Sequence, residues 1–220
     1  MDLDQIAHTL IYIHATFGGF ALLTGGIALI VKKGGKLHKK SGKVFYYTLL
    51  ISAFLSLAVA VMPKHHSPFL FSIGVFSCYF IVGGYRSLRF KQAKFDLKWD
   101  KIISYTIIIT GIAMILYPVL LHGKLNMVLL VFGLVGLLFG MQDLRAYKDS
   151  ATLQKKWLKM HLGKMIGGYI AAVTAFFVVS QILPGIWNWF VPGLVGGAYI
   201  SFWSLKLKRS SSLQKTTSKS

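Results

Sequence analysis

Glutamate is missing from this 220-residue chain, and only 6 acidic residues, all aspartate, stand against 25 Lys and Arg. Charged residues are scarce overall, at 14% of the chain, where a soluble domain carries about 25%. Together with the chain's long apolar runs, that scarcity excludes an ordinary soluble enzyme and a protein that is disordered and basic throughout. The single cysteine, Cys78, excludes a disulfide framework and a paired-cysteine metal or redox site. A formal charge of +19 would suit nucleic acid, but the cations sit in short clusters between long apolar runs instead of on one soluble face, so no nucleic-acid partner is expected. Catalytic signatures are also lacking: there is no GxSxG, no glycine-rich phosphate loop followed by Lys-Ser/Thr, and no acidic pair within a helix. Whether the chain is an enzyme is left open.

What is abundant is apolar sequence, with AVILMFWYC at 55%. A bilayer core about 30 Å thick needs about 20 apolar residues in a helix. Seven runs approach or reach that length: Ile6 to Val31, Val44 to Met62, Pro68 to Leu88, Ile102 to Leu121, Leu125 to Gln142, Leu162 to Leu183 and Ile186 to Leu207. A membrane strand needs a closed barrel and an alternating pattern that is absent here, so the runs are predicted to be helices. The expected fold class is all-α, a polytopic transmembrane bundle of seven helices forming one domain over residues 1–207. Residues 208–220, rich in Ser, Lys and Thr, are expected to form a disordered basic tail near anionic lipid. The first run lacks the positive start of a signal peptide and is expected to remain in the mature protein.

Positive residues flanking short loops are retained on the cytoplasmic side of a membrane. The first connection carries Lys32, Lys33, Lys36, Lys39, Lys40 and Lys43, the third and fifth connections carry six cations each, with Lys164 counted in the fifth, and the tail carries five. Only Lys64 and Lys124 fall on the other side. The predicted topology has the N-terminus outside and the C-terminus inside. Trp187 and Trp189 then lie at outer helix ends, with Trp99, Trp157 and Trp203 at inner ends, as an aromatic belt requires.

Ionisable residues inside a bilayer mark functional candidates. His14 lies within the first run and shares a face with Gly18 and Gly25. It could ligate haem, relay protons or hydrogen-bond a quinone, or equally bond a neighbouring helix. Near the inner face gather His38, Arg86, Asp143, Arg145 and His161. His38, Asp143 and His161 have the types of a two-His, one-carboxylate metal site, and an Asp143–Arg86 pair would offset the burial of both. Arg86, Asp143 and Arg145 could instead form a structural polar network. His8, His65, His66 and His122 read as water-exposed residues at the outer side. A bis-histidine haem is disfavoured, because the inner leaflet offers only His161 at a helix edge and a loop ligand would have to complete it. Glycine recurs as Gly133, Gly136 and Gly140 ahead of Asp143, and as Gly168 with Ala172 and Ala175, a pattern that permits close helix packing or room for a flat ligand.

The stretch from His14 to Gly25, then Gly35-Lys36-Leu37-His38-Lys39-Lys40-Ser41-Gly42-Lys43, and later His161-Leu162-Gly163-Lys164-Met165 with Thr174-Ala175-Phe176, resembles a family of bacterial multi-helix predicted membrane proteins of unassigned function. The resemblance implies His14, His38 and His161 as signature positions and supplies no reaction. Taken with the topology, it points to a multi-pass protein of a bacterial inner membrane. The leading expectation is a cofactor-binding or redox-linked protein with haem or quinone at His14, His38 or His161, a divalent metal being a lesser one. The alternatives are a small-solute carrier, with the glycine-lined interior as its path, and a scaffold whose basic loops bind anionic lipid, a second copy or another membrane protein.

Overall fold

A computed structural model describes residues 2–217, with side chains described through residue 208. Among the described residues seven α-helices run in order: α1 Leu3–Ile30, α2 Lys36–Ala60, α3 Pro68–Arg86, α4 Lys98–His122, α5 Met127–Ala146, α6 Ser150–Ser180 and α7 Trp187–Thr217. A 3₁₀ turn, Ser87–Lys91, follows α3, and no strand occurs among the described residues. Six helices, α1 to α6, are long and apolar enough to cross a membrane. α7 does not join that set, since Asn188, Gly193, Gly196, Gly197, Ser201 and Ser204 dilute its apolar residues. Where a disordered tail was expected from residue 208, the α7 backbone continues as helix to Thr217, and residues 218–220 lie outside the described residues.

Helix starts are set by local chemistry. Ser67 accepts a hydrogen bond from the Leu70 amide ahead of Pro68, Asn126 accepts from Leu129, and Asp149 accepts from Thr152. At Asp149 the bonds from the Thr152 side chain and amide favour the charged carboxylate and hold its pKa below the usual value. α4 ends at Gly123, whose φ of 61° is the left-handed conformation that glycine adopts without strain.

α3 and α6 form the centre. α1 packs on α2, α2 on α3, α4 on α5, and α7 on α6. The α4–α5 seam is the closest approach, because a Cβ at Gly111 or at Gly133 would lie 2.7 Å from the other's carbonyl oxygen. The outward faces are apolar: Leu120 is 77% exposed and Val179 72% exposed. Contiguous apolar surface of this kind is what a bilayer covers.

Two helices begin two turns or more before the hydropathy runs predict. α2 starts at Lys36 instead of Val44, and α6 at Ser150 instead of Leu162. The added turns are amphipathic and rich in lysine, which hides them from a hydropathy window. In α6, Leu153, Trp157 and Met160 form a stripe at helical spacing that packs with Phe90 and Tyr147 at the lysine-rich end of the bundle. The extension matters for the site. It turns His38 and His161 from loop and edge residues into helical ones.

Candidate cofactor site

At the lysine-rich end, α1, α2, α3, α6, α7 and the 3₁₀ turn enclose a cavity of about 480 Å³. The walls are largely apolar and aromatic, including Phe45, Tyr85, Trp157, Tyr169 and Trp203. Gly25 belongs to the lining, and the rings of Tyr169 and Phe45 pack against it so closely that a Cβ would lie 2.6 Å and 2.9 Å from them. The floor is thus built on a missing side chain. Lys39, Lys43 and Lys91 add positive charge to the lining, with Lys91 Nζ 5.8 Å from the Trp157 ring centroid. Lys33 also borders the cavity, but its ammonium is committed to the carbonyls of Ala28 and Leu29 and lies near Tyr199 and Trp203.

His38 and His161 both line this cavity. His38 Nδ1 donates to the Ala28 carbonyl at 3.0 Å, and His161 Nδ1 donates to the Gly84 carbonyl at 2.8 Å. Both acceptors lie in the last turn of their helices, α1 and α3, where the Ala28 carbonyl also accepts from Lys33 Nζ and the Gly84 carbonyl from Ser87 Oγ. A carbonyl only accepts, so each imidazole carries a proton on Nδ1, and in the neutral ring the lone pair is then on Nε2. Neither Nε2 has a hydrogen-bond partner, and neither is sealed inside the protein, the one buried unpartnered side-chain atom among the described residues being Ser204 Oγ.

His14, the third expected cofactor residue, does not line the cavity. Its Nδ1 lies 2.8 Å from the Ser52 carbonyl and 2.9 Å from Ser52 Oγ, while that hydroxyl donates to the His14 carbonyl. It clips α1 to α2.

The expected metal triad of His38, Asp143 and His161 does not form, and no three His, Cys, Asp or Glu side chains converge among the described residues. Asp143 is engaged elsewhere: its Oδ2 accepts from Lys164 Nζ at 2.5 Å, Tyr79 Oη at 2.6 Å and Ser104 Oγ at 3.4 Å. Lys164 Nζ also sits 4.0 Å from the centre of the Tyr79 ring. The expected Asp143–Arg86 pair is likewise replaced. Arg86 forms a two-point fork with Asp100, at 2.9 Å from Nε and 2.6 Å from Nη2. Arg145 is exposed beside a separate hollow with Lys101 and Tyr105 and joins neither pair. Of the histidines expected at the outer side, His8 and His65 meet edge to face at 5.8 Å beside the exposed Asp4–Lys64 pair.

Lys164, Tyr79 and Asp100 are the polar residues the sequence reading passed over. Spacing could have found two of them. Lys164 follows His161 by three residues and precedes Gly168 by four, which places it on the inward face of α6. Asp100 heads the buried series Ser104, Ile107, Gly111 and Met114 on α4.

No family model, curated protein or solved structure matches the chain.

Proposed function

We propose that the chain is a seven-span integral protein of a bacterial inner membrane, N-terminus outside and C-terminus inside, that holds a flat amphiphilic cofactor of the haem or quinone class in the cavity at its cytoplasmic end. The lysine distribution supports the orientation, since the loops flanking that end carry nearly all the positive charge. A span for α7 rests on its apolar stretch from Trp187 to Leu207 and on the alternation that an odd number of crossings preserves. The observation that carries the cofactor reading is the cavity itself: about 480 Å³, aromatic-walled, bordered by lysines, with two histidines fixed in its lining. Cofactor and small-ligand sites are mostly apolar clefts of about 300–1,000 Å³ with a few placed polar groups. A scaffold that works only through its basic loops has no need of such a cavity.

The test is titration of the detergent-purified full chain with protoporphyrin IX, hemin and a short-chain quinone, followed by tryptophan fluorescence. Saturable quenching by at least one of them is expected, since Trp157 and Trp203 line the cavity. Absence of saturable quenching by all three overturns the reading. Reporter fusions within residues 92–97 and after residue 208 are expected to report the cytoplasm, and a fusion within residues 62–67 the opposite side. The same compartment at all three positions would overturn the topology.

A further inference from the structure

We infer that His38 and His161 are the two axial ligands of a haem bound in the cavity, an assignment that rests on reading the cavity as a cofactor site. The first support is the state of the rings. Metal-ligating histidines characteristically donate the other ring N–H to a carbonyl or carboxylate, which fixes tautomer and orientation and raises basicity. Both histidines do so here, each on a carbonyl in the last turn of a helix, a location whose partial negative charge favours an N–H donor. Two residues 123 positions apart in the sequence line one space, each with its Nε2 unpaired.

The second support is the ligand count. A structural or catalytic zinc takes three or four protein ligands, and no third His, Cys, Asp or Glu joins these two. Iron in a porphyrin receives four nitrogens from the macrocycle and has two axial positions, of which a protein can fill one or both. Two neutral imidazoles with their lone pairs on Nε2 can fill both with no proton released on binding.

The third support discriminates between the cofactor classes. The carbonyl oxygens of an oxidised quinone only accept hydrogen bonds, and Nδ1-protonated histidines offer them two further acceptors. A haem instead uses the lone pairs, stacks on the aromatic walls formed by Phe45, Trp157 and Tyr169, and carries carboxylates that match Lys39, Lys43 and Lys91.

The experiment compares hemin with metal-free protoporphyrin IX on the full chain in detergent. Hemin is expected to quench tryptophan fluorescence and to give the absorption spectrum of six-coordinate, low-spin iron. His38→Ala and His161→Ala should each weaken hemin at least about tenfold, the loss that follows removal of even an outer-shell partner of a metal ligand. Protoporphyrin, which has no iron to ligate, should lose far less affinity than hemin in either variant. His161→Met, which keeps a ligand atom, should shift the spectrum while retaining hemin. Hemin that quenches but gives a spectrum indifferent to both alanine substitutions overturns the ligation and leaves the cofactor site standing. Saturable quenching by quinone alone likewise overturns the haem assignment, whereas no quenching by any of the three removes the site as well.

Discussion

Two polar regions lie on α6, one helical turn apart, and differ in what they leave unsatisfied. Around Lys164, the ammonium, the Asp143 carboxylate, the Tyr79 hydroxyl and the Ser104 hydroxyl close on one another. Around His161, one ring nitrogen is anchored and the other is without a partner, in a residue that lines a cavity. A buried charge costs several kcal/mol unless it is paired, so the Lys164 cluster is explained by its own internal bonds. The histidine cavity is not. Ionisable character inside a bundle therefore separates into two kinds, and the unspent lone pair, more than the buried charge, points to a ligand.

Substitutions can break this contrast from either side. The largest effect is expected from Asp143→Asn, which leaves Lys164 buried without its counter-charge; breaking such a pair costs about 3–5 kcal/mol. Thermal unfolding in detergent measures it, and the double change Asp143→Asn with Lys164→Met should recover most of the loss because it removes both charges. Next comes Gly133→Ala, whose Cβ would meet the Gly111 carbonyl and Ile115 at 2.7 Å, an overpacking expected to cost about 1–3 kcal/mol. Gly19→Ala, with nothing within 4 Å, should be neutral or stabilising by up to about 1 kcal/mol in the same assay. His161→Ala and His38→Ala each remove one neutral hydrogen bond, so in the absence of ligand they should lower stability by only about 0.5–1.5 kcal/mol. His14→Ala should cost a similar amount through Ser52 and leave hemin affinity unchanged. A His14→Ala variant that loses hemin would show that the two regions are not separable as described.

The middle of each helix was legible because a run near 20 apolar residues has few other solutions. The ends were not. Residues 36–43 and 150–161 are helical through one-sided packing, and their lysines mask the stripe formed by Leu153, Trp157 and Met160. That single omission disfavoured a haem in the sequence reading, since His161 stood at an edge and His38 in a loop until both helices were extended. His38 and His161 were recognisable as candidates by residue type and position. Their common cavity depends on α1, α3 and α7 closing around them, which no local pattern encodes. The pairing of Asp143 with Lys164 was missed for a related reason: Lys164 was grouped with the loop cations, although its spacing from His161 and Gly168 places it on the inward face.

The most direct measurement is the electron paramagnetic resonance spectrum of the ferric, hemin-loaded full chain. Two imidazole nitrogens on the iron predict a low-spin signal from wild type that turns high-spin in both His38→Ala and His161→Ala. A high-spin signal already present in wild type, and unchanged by either substitution, would contradict the account.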